Sequence, residues 1–435
     1  MRLEVREDGH LREADSSPDL SLLPEAAYVH IPFCRRRCFY CDFPIAVVGD
    51  RPPLAQQGQT EFGTIADYVE ILCQEIRSTP VLSHRPLETV FFGGGTPSLL
   101  TVAQLAQILA TLDRHFGIAA TAEISMEIDP DTVDRDRLQG YCAAGINRVS
   151  LGVQAFQAEL LQACGRTHTP AHIYAAVDLI HQSQLRNFSL DLISGLPYLT
   201  LQHWQASLQA AIALAPTHLS VYDLTIEPMT AFDRWYQPGV QPLPTDEMTA
   251  EMYRTAYQML TSAGYQHYEI SNYAQPGYQC RHNRVYWENR SYYGFGMGAA
   301  SYTERQRFTR PRKRQDYYRW VQDYQAAAGA IECAVTEDAE RLLDTLMLGL
   351  RLAEGLSLEK LKQDFGERSL QQILSCLEPF RRQGWVEFVE DTALNRQFRL
   401  TDPDGFLFSN VILSQLFKEL PADASPLFNS SLKEI

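Results

Sequence analysis

Short apolar runs alternate with longer amphipathic stretches along the first half of the chain, and this alternation limits the possible folds more than any other feature. The strand-like runs cover residues 28–32, 89–92, 123–128, 148–153, 188–193 and 218–224. Helical periodicity separates them over residues 102–116, 131–144, 170–183 and 201–213. Strands that alternate with helices predict βαβ units and a parallel sheet whose strands are covered on both faces. Six units are too few for a closed eight-stranded barrel, so a doubly wound sheet and an open, partial barrel both fit.

A different pattern follows this region. Residues 265–302 are rich in Tyr and Gly, and a basic segment lies beyond them. From about residue 335, three helical segments (337–351, 357–365, 370–383) precede two strand-like segments (385–389, 397–400). Three helices and a β-ribbon predict a small, helical, winged-helix-like C-terminal domain. We therefore divide the chain into a loose N-terminal segment (1–27), an α/β barrel with its extension (28–330) and a C-terminal domain (335–420).

Composition and charge exclude several classes of protein. The chain has 435 residues, of which 45% are hydrophobic and 21% charged, as in ordinary globular proteins. The net charge of −15 opposes docking on a nucleic-acid backbone as the main activity. No apolar run approaches the roughly 18 residues of a membrane span, and residues 1–24 lack the apolar core of a secretory signal. These features predict a cytoplasmic protein.

Three of the nine cysteines lie within eight residues and carry the strongest chemical signal. Cys34, Cys38 and Cys41 have the spacing CxxxCxxC, whereas the other six are scattered and are typical of buried apolar positions in a reducing compartment. A structural zinc site normally needs four protein ligands, and only His30 lies near enough in sequence to be a fourth. Three thiolates also suit a [4Fe–4S] cluster that leaves one iron open for a small-molecule ligand.

The CxxxCxxC motif resembles the signature of the radical S-adenosylmethionine (SAM) superfamily, and Tyr40, just before the last cysteine, agrees with it. The resemblance implies that Cys34, Cys38 and Cys41 hold a [4Fe–4S] cluster. It further implies that the open iron binds the amino and carboxylate groups of SAM. Electron transfer from the cluster would then cleave SAM to a 5′-deoxyadenosyl radical.

Further motifs resemble the branch of this superfamily that contains oxygen-independent coproporphyrinogen III oxidase and the HemW proteins. Residues 92–97 (FGGGTP) are similar to a glycine-rich motif that holds the SAM amino group, residues 165–168 (GRTH) to a GR-x-H/Y element, and residues 191–197 to DLIxGLP. The resemblance implies the following SAM-binding residues: Tyr28, Tyr40, Gly94, Gly95, Thr96, Glu127, Gln154, Arg166 and Asp191. It extends from Tyr28 to about Phe417.

Two features of the sequence distinguish between members of this branch. The coproporphyrinogen oxidases extend the cysteine motif to CxxxCxxCxC, but this chain has Phe43 at the last position. Residues 282–286 read HNxxY, which resembles the motif associated with heme binding in HemW-type heme chaperones. His282 and Tyr286 are therefore the candidate heme-binding residues, because His and Tyr both ligate heme iron. Cys280 is a rival ligand.

The resemblance as a whole predicts a heme chaperone with a partial six-unit (β/α) radical SAM barrel and a winged-helix-like C-terminal domain. It would carry a [4Fe–4S] cluster and SAM, bind heme, and pass the heme to an acceptor protein that the sequence does not identify. The main alternative is an enzyme, an oxygen-independent coproporphyrinogen III dehydrogenase that decarboxylates propionate side chains. A more distant alternative is a radical SAM enzyme that modifies RNA, which the acidic balance disfavours.

The basic segment at residues 305–314 has three interpretations. It is a solvated loop, or it attracts an anion, or it contacts nucleic acid, which the total charge makes the weakest of the three. The anion would be a heme propionate or an anionic membrane surface, and the second would make the chain a peripheral membrane protein. The sequence predicts no oligomeric state.

Overall fold

A computed structural model describes residues 3–5, 11–13, 23–49, 65–183, 185–392 and 395–420. Most of the predicted loose segment 1–27 lies outside the described residues. The strands are β1 (Leu3–Val5), β2 (Leu11–Glu13), β3 (Ala26–Ile31), β4 (Phe33–Cys34), β5 (Ala46–Val47), β6 (Leu87–Gly94), β7 (Ile118–Ile128), β8 (Arg148–Gln154), β9 (Asn187–Ser194), β10 (His218–Asp223), β11 (Gln266–Glu269), β12 (Asn272–Ala274), β13 (Tyr293–Phe295), β14 (Ala300–Thr303), β15 (Gln306–Thr309), β16 (Leu356–Ser357), β17 (Val386–Thr392) and β18 (Asn395–Leu400).

The helices alternate with the strands through the first half of the chain and dominate the last third. They are α1 (Ile65–Ser78), α2 (Val102–Phe116), α3 (Arg135–Ala144), α4 (Ala158–Ala163), α5 (Pro170–Gln182), α6 (Leu201–Ala213), α7 (Ala231–Trp235), α8 (Asp246–Ser262), α9 (Arg281–Trp287), α10 (Arg314–Ala326), α11 (Asp338–Gly349), α12 (Leu358–Arg382), α13 (Asp404–Leu407) and α14 (Ser409–Glu419). None of these helices is long and apolar enough to cross a membrane.

One nine-stranded sheet organises the α/β part, in the order β11-β12-β10-β9-β8-β7-β6-β3-β13. The strands β3, β6, β7, β8, β9 and β10 pair in parallel with their neighbours, and they are the six strands that the sequence predicts. Strand β13 adds to β3 in parallel, whereas β12 and β11 close the other edge in antiparallel pairing. The α/β class and the partial barrel are confirmed. The carboxyl ends of the parallel strands therefore share one edge, which is where such folds place their ligands.

Local sequence explains where the helices begin and end. Thr101 accepts a hydrogen bond from the backbone of Gln104 (3.2 Å), and the Gln104 side chain accepts one from the Thr101 backbone (2.9 Å), so a capping box starts α2. Gly117 ends the same helix with a positive φ of 74°. The predicted helix 131–144 starts four residues late, at Arg135, because the Asp134 side chain caps it.

The C-terminal helices and strands enclose a second hydrophobic core, which includes Leu346, Ile373, Phe398 and Ile412. The two helices predicted at 357–365 and 370–383 form the single element α12, with a break at Gly366, where φ is 83°. Strands β16, β18 and β17 make the predicted β-ribbon three-stranded. The helical C-terminal domain is confirmed, while the domain boundaries stay a prediction.

The basic segment is partly built into the fold. Residues 306–309 form β15, which pairs with β14, and Arg310 is only 2% exposed, whereas Arg312 and Lys313 are exposed. The Arg310 guanidinium donates to Glu75 on α1 (2.7 Å) and to Ser301 (2.5 Å), while Tyr317 donates to the other Glu75 oxygen (2.6 Å). The ion pair with Glu75 explains how the charge of Arg310 is accommodated in the interior.

Candidate cluster and cofactor site

The three motif cysteines lie on one loop at the carboxyl edge of the sheet. Cys34 ends β4, and its backbone pairs in register with Val47 of β5. Cys38 and Cys41 follow in the next turn, where the Cys41 backbone amide donates to the Cys38 carbonyl (3.2 Å). The amide of Phe39 donates to the Cys164 carbonyl (3.0 Å), which ties this loop to the barrel.

All three thiols border one cavity of about 520 Å³. Burial raises the pKa of Cys34 to about 12 and that of Cys41 to about 11, so both thiols hold their protons until a metal displaces them. Thr96 lies within hydrogen-bond distance of the Cys34 sulfur and Arg166 of the Cys38 sulfur, both at 3.5 Å. Donors of this kind stabilise thiolates.

The donor set suits an iron–sulfur cluster better than a single ion. Within the described ranges, no three His, Cys, Asp or Glu side chains are grouped closely enough to hold one metal ion. A cubane cluster does not need such a group, because each cysteine binds a different iron. Three cysteines that border the same cavity therefore fit a [4Fe–4S] cluster with one iron open to the cavity.

The glycine-rich turn after β6 brings the backbone close to the same cavity. The amide of Gly94 donates to Glu127 Oε2 (3.0 Å), that of Gly95 to the Ile31 carbonyl (2.9 Å) and that of Thr96 to the Phe33 carbonyl (2.7 Å). These N–H groups therefore donate to acceptors within the protein rather than to a ligand. An ammonium group needs acceptors rather than donors, so this arrangement agrees with the role that the resemblance implies.

Glycine is required in this turn for a steric reason. Gly94 has a φ of 111°, and a Cβ there would overlap the His30 ring. That ring is fixed by hydrogen bonds to the Tyr28 hydroxyl and the Pro44 carbonyl, both at 3.0 Å. A side chain at this position would meet both backbone strain and a ring that has no room to move.

Two partly buried carboxyl groups, those of Glu127 on β7 and Asp191 on β9, face the cavity from the strands on either side of β8. Burial, together with the charge of Asp191, raises the pKa of Glu127 to about 8. Burial also raises the pKa of Asp191, against hydrogen bonds from Ser150 (2.8 and 2.9 Å) and Ser189 (3.2 Å). The carboxyl group of Glu127 can therefore hold a proton near neutral pH.

Asp129 is a site residue that the sequence analysis missed. It forms a short ion pair with Arg166 and accepts from the Thr96 hydroxyl (3.3 Å), so it links two predicted SAM residues. The Arg166 guanidinium also donates to the Gly152 carbonyl (3.0 Å). Its position could have indicated this role, because Asp129 directly follows the last residue of β7.

A second, larger cavity of about 770 Å³ adjoins the first. It extends from the barrel strands to the C-terminal helices, and Tyr28 borders it rather than the cavity of the cysteines. The other predicted SAM residues, namely Tyr40, Gly94, Gly95, Thr96, Glu127, Gln154, Arg166 and Asp191, line the smaller cavity. Glu127, Asp191 and Tyr222 line both, so these side chains form a shared wall.

His282 and Tyr286 border the larger cavity but are bonded to each other. His282 is 1% exposed, and its Nε2 lies 2.9 Å from the Tyr286 hydroxyl while its Nδ1 lies 2.8 Å from the Thr89 hydroxyl. Burial lowers the pKa of His282 to about 3, with a smaller contribution from Arg148, so the imidazole is neutral. A neutral imidazole is the form that ligates metals. Cys280, the rival ligand, is fully buried and does not border this cavity.

Arginines also line the larger cavity, although the sequence analysis named none of them individually as a site residue. They are Arg148, Arg290, Arg307, Arg312 and Arg351. Two of them belong to the basic segment, so its side chains help to line the cavity. The other three are far apart in sequence and carry no local motif, which is why sequence reasoning did not find them.

Comparison with known proteins agrees with this architecture. Residues 28–211 match the family model described as the Radical SAM superfamily, and residues 337–401 match that of the HemN C-terminal domain. The solved structure of coproporphyrinogen III oxidase (HemN) from Escherichia coli superposes with a TM-score of 0.74, covering 91% of this chain and 90% of that one, at 24% identity. The fold and the cysteine loop thus define a radical SAM protein.

Relatives that match nearly the full length of the chain identify its family within this class. The chain is 48% identical over 413 residues to a heme chaperone HemW from Synechocystis, covering 92% of this chain and 98% of the relative. It is 32% identical over 386 residues to a heme chaperone HemW from Bacillus subtilis, covering 88% and 98%. The chain belongs to the HemW family.

Proposed function

We propose that this chain is a cytoplasmic heme chaperone. It binds heme in the larger cavity and transfers it to an acceptor protein, and it holds a [4Fe–4S] cluster and SAM in the smaller one. The observation that carries the proposal is the pair of adjoining cavities, one bordered by three cysteines and the other by a neutral histidine and several arginines. The relatives named heme chaperone HemW support this function.

The smaller cavity would hold the cluster through Cys34, Cys38 and Cys41. SAM would lie against the Gly94–Thr96 turn, Glu127 and Asp191, which supply acceptors for its ammonium and hydroxyl groups. When bound, the cluster and SAM supply one-electron chemistry. The residues of the chain bind and orient these groups, and the Arg166 side chain stabilises the Cys38 thiolate from 3.5 Å.

The larger cavity would hold heme. Its volume of about 770 Å³ lies within the usual range of ligand pockets, roughly 300–1,000 Å³. His282 would ligate the iron through Nε2 after this atom leaves the Tyr286 hydroxyl. Arginines at the cavity wall complement the propionate groups in charge. Heme binding therefore requires a local rearrangement at residues 282–286, and the same rearrangement in reverse favours release to an acceptor.

A heme titration of anaerobically purified, cluster-loaded protein tests this function. We expect saturable absorbance changes with an end point near one heme per chain. The same preparation should form no protoporphyrinogen from coproporphyrinogen III, SAM and a reductant. Decarboxylation without saturable heme binding would make the protein a coproporphyrinogen III dehydrogenase instead.

The variant His282→Ala tests the ligand. It should weaken heme binding and leave the iron content unchanged, because His282 borders the larger cavity but not the smaller one. His84→Ala, at an exposed position outside both cavities, is the matched control. An unchanged heme titration in the first variant would remove His282 from the site.

A further inference from the structure

Arg148 is a buried positive charge at the wall of the larger cavity. It is the first residue of β8, is 1% exposed and borders the cavity. A guanidinium keeps its charge at any physiological pH. Inside a protein, such a charge is stable only when hydrogen-bond acceptors or an opposite charge compensate it.

The fold supplies Arg148 with no direct partner. Its Nε is buried without an acceptor, and its guanidinium makes no hydrogen bond or ion pair with any described residue. Arg310 provides the contrast within the same molecule. It is similarly buried, yet it donates to Glu75 and Ser301. Of the two buried arginines among the described residues, only Arg148 therefore lacks a direct partner, and it is the one that borders the cavity.

The nearest carboxylates are engaged by other donors. Glu123 and Asp191 both influence Arg148 electrostatically. Glu123 accepts from the backbone amides of Arg281 (3.3 Å) and His282 (3.2 Å). Asp191 accepts from the serine hydroxyls described above. Neither lies in an ion pair with Arg148, so its terminal N–H groups remain available to a ligand in the cavity that Arg148 borders.

We propose that Arg148 binds a carboxylate group of the molecule that occupies the larger cavity. Planar guanidinium and carboxylate groups match in two-point geometry, and exclusion of water strengthens the pair. The inference rests on the proposed function, under which the carboxylate is a propionate of the porphyrin. SAM carries a carboxylate as well, but Arg148 does not border the cavity of the cysteines.

Binding of heme and of heme dimethyl ester, whose propionates carry no charge, tests the inference in cluster-loaded protein. Wild-type protein should prefer heme. Arg148→Gln should weaken heme binding roughly 10- to 100-fold, the usual loss for a charge-assisted hydrogen bond, and should leave ester binding unchanged. Arg148→Lys keeps the positive charge but lacks the paired N–H donors of a guanidinium. Its affinity for heme should therefore lie between those of the wild type and Arg148→Gln. Arg186→Gln, at an exposed arginine just before β9, is the matched control and should behave as wild type.

Each other outcome overturns the inference in an identifiable way. If wild-type protein binds both ligands equally, no propionate is recognised, and this result requires no variant to fold. If folded Arg148→Gln weakens both ligands equally, the residue is structural. If it weakens SAM binding and spares the preference for heme, the carboxylate belongs to SAM. If wild-type protein binds neither heme nor its ester, the proposed function itself fails.

Discussion

The carboxyl group of Glu127 should make the protein less stable as the pH rises. Burial and the neighbouring Asp191 raise its pKa from 4.5 to about 8 in the folded chain. In the unfolded chain, the carboxyl group loses its proton near its ordinary pKa of 4.5. Between pH 4.5 and about pH 8, the folded state therefore binds more protons than the unfolded state. Stability then decreases with increasing pH. The full change from 4.5 to about 8 corresponds to about 5 kcal/mol, at about 1.4 kcal/mol per pH unit.

The variant Glu127→Gln removes this effect, because an amide remains neutral and its oxygen can still accept from Gly94. The variant should match the wild type near pH 4.5 and exceed it by several kcal/mol above pH 8, with the difference growing steadily between. Urea unfolding at several pH values, before the cluster is loaded and without SAM, measures it. Glu159→Gln, at an exposed position on α4, is the control.

A stability difference that stays constant from pH 5 to pH 8 would refute this reasoning. A wild type that gains stability relative to the variant as the pH rises would refute it as well. The expected gain in stability comes with a loss of function, since Glu127 is a proposed SAM contact. Strained or desolvated groups at a binding site commonly have this double effect.

Three other changes have clear expected outcomes. Glu75→Ala leaves Arg310 buried without its ion pair and should lower the free energy of unfolding by about 3–5 kcal/mol in urea titrations. Cys38→Ala should abolish the iron content and visible absorbance of the reconstituted protein, whereas an unchanged iron content would exclude this residue as a ligand. Gly94→Ala should destabilise the fold by about 1–3 kcal/mol from backbone strain alone, with a further loss from overlap with His30, which thermal unfolding would detect.

Much of the α/β part could be predicted from the sequence because its elements are long and regular. Helices 102–116 and 201–213 have the predicted bounds, and each of the six parallel strands lies at its predicted place. The apolar side chains whose periodicity predicts these elements are also the side chains that become buried. The local pattern and the tertiary packing therefore agree.

The parts that sequence did not predict depend on distant contacts. Strand β13 has three residues in a stretch rich in Tyr and Gly, and its partner β3 lies more than two hundred residues earlier in the chain. The pairing of Arg310 with Glu75 spans a similar separation. The individual arginines of the larger cavity likewise come from elements far apart. No local pattern records which residues meet across such distances.

The wall that separates the two cavities is also a route for thermodynamic linkage. Glu127 and Asp191 face both spaces, and each has a raised pKa. A ligand that removes the proton from Glu127 in one space changes the charge presented to the other. If this exchange alters the affinity of the second ligand by some factor, the second ligand must alter the affinity of the first by the same factor. Under the proposed function, SAM and heme would then influence each other's binding through the proton on Glu127.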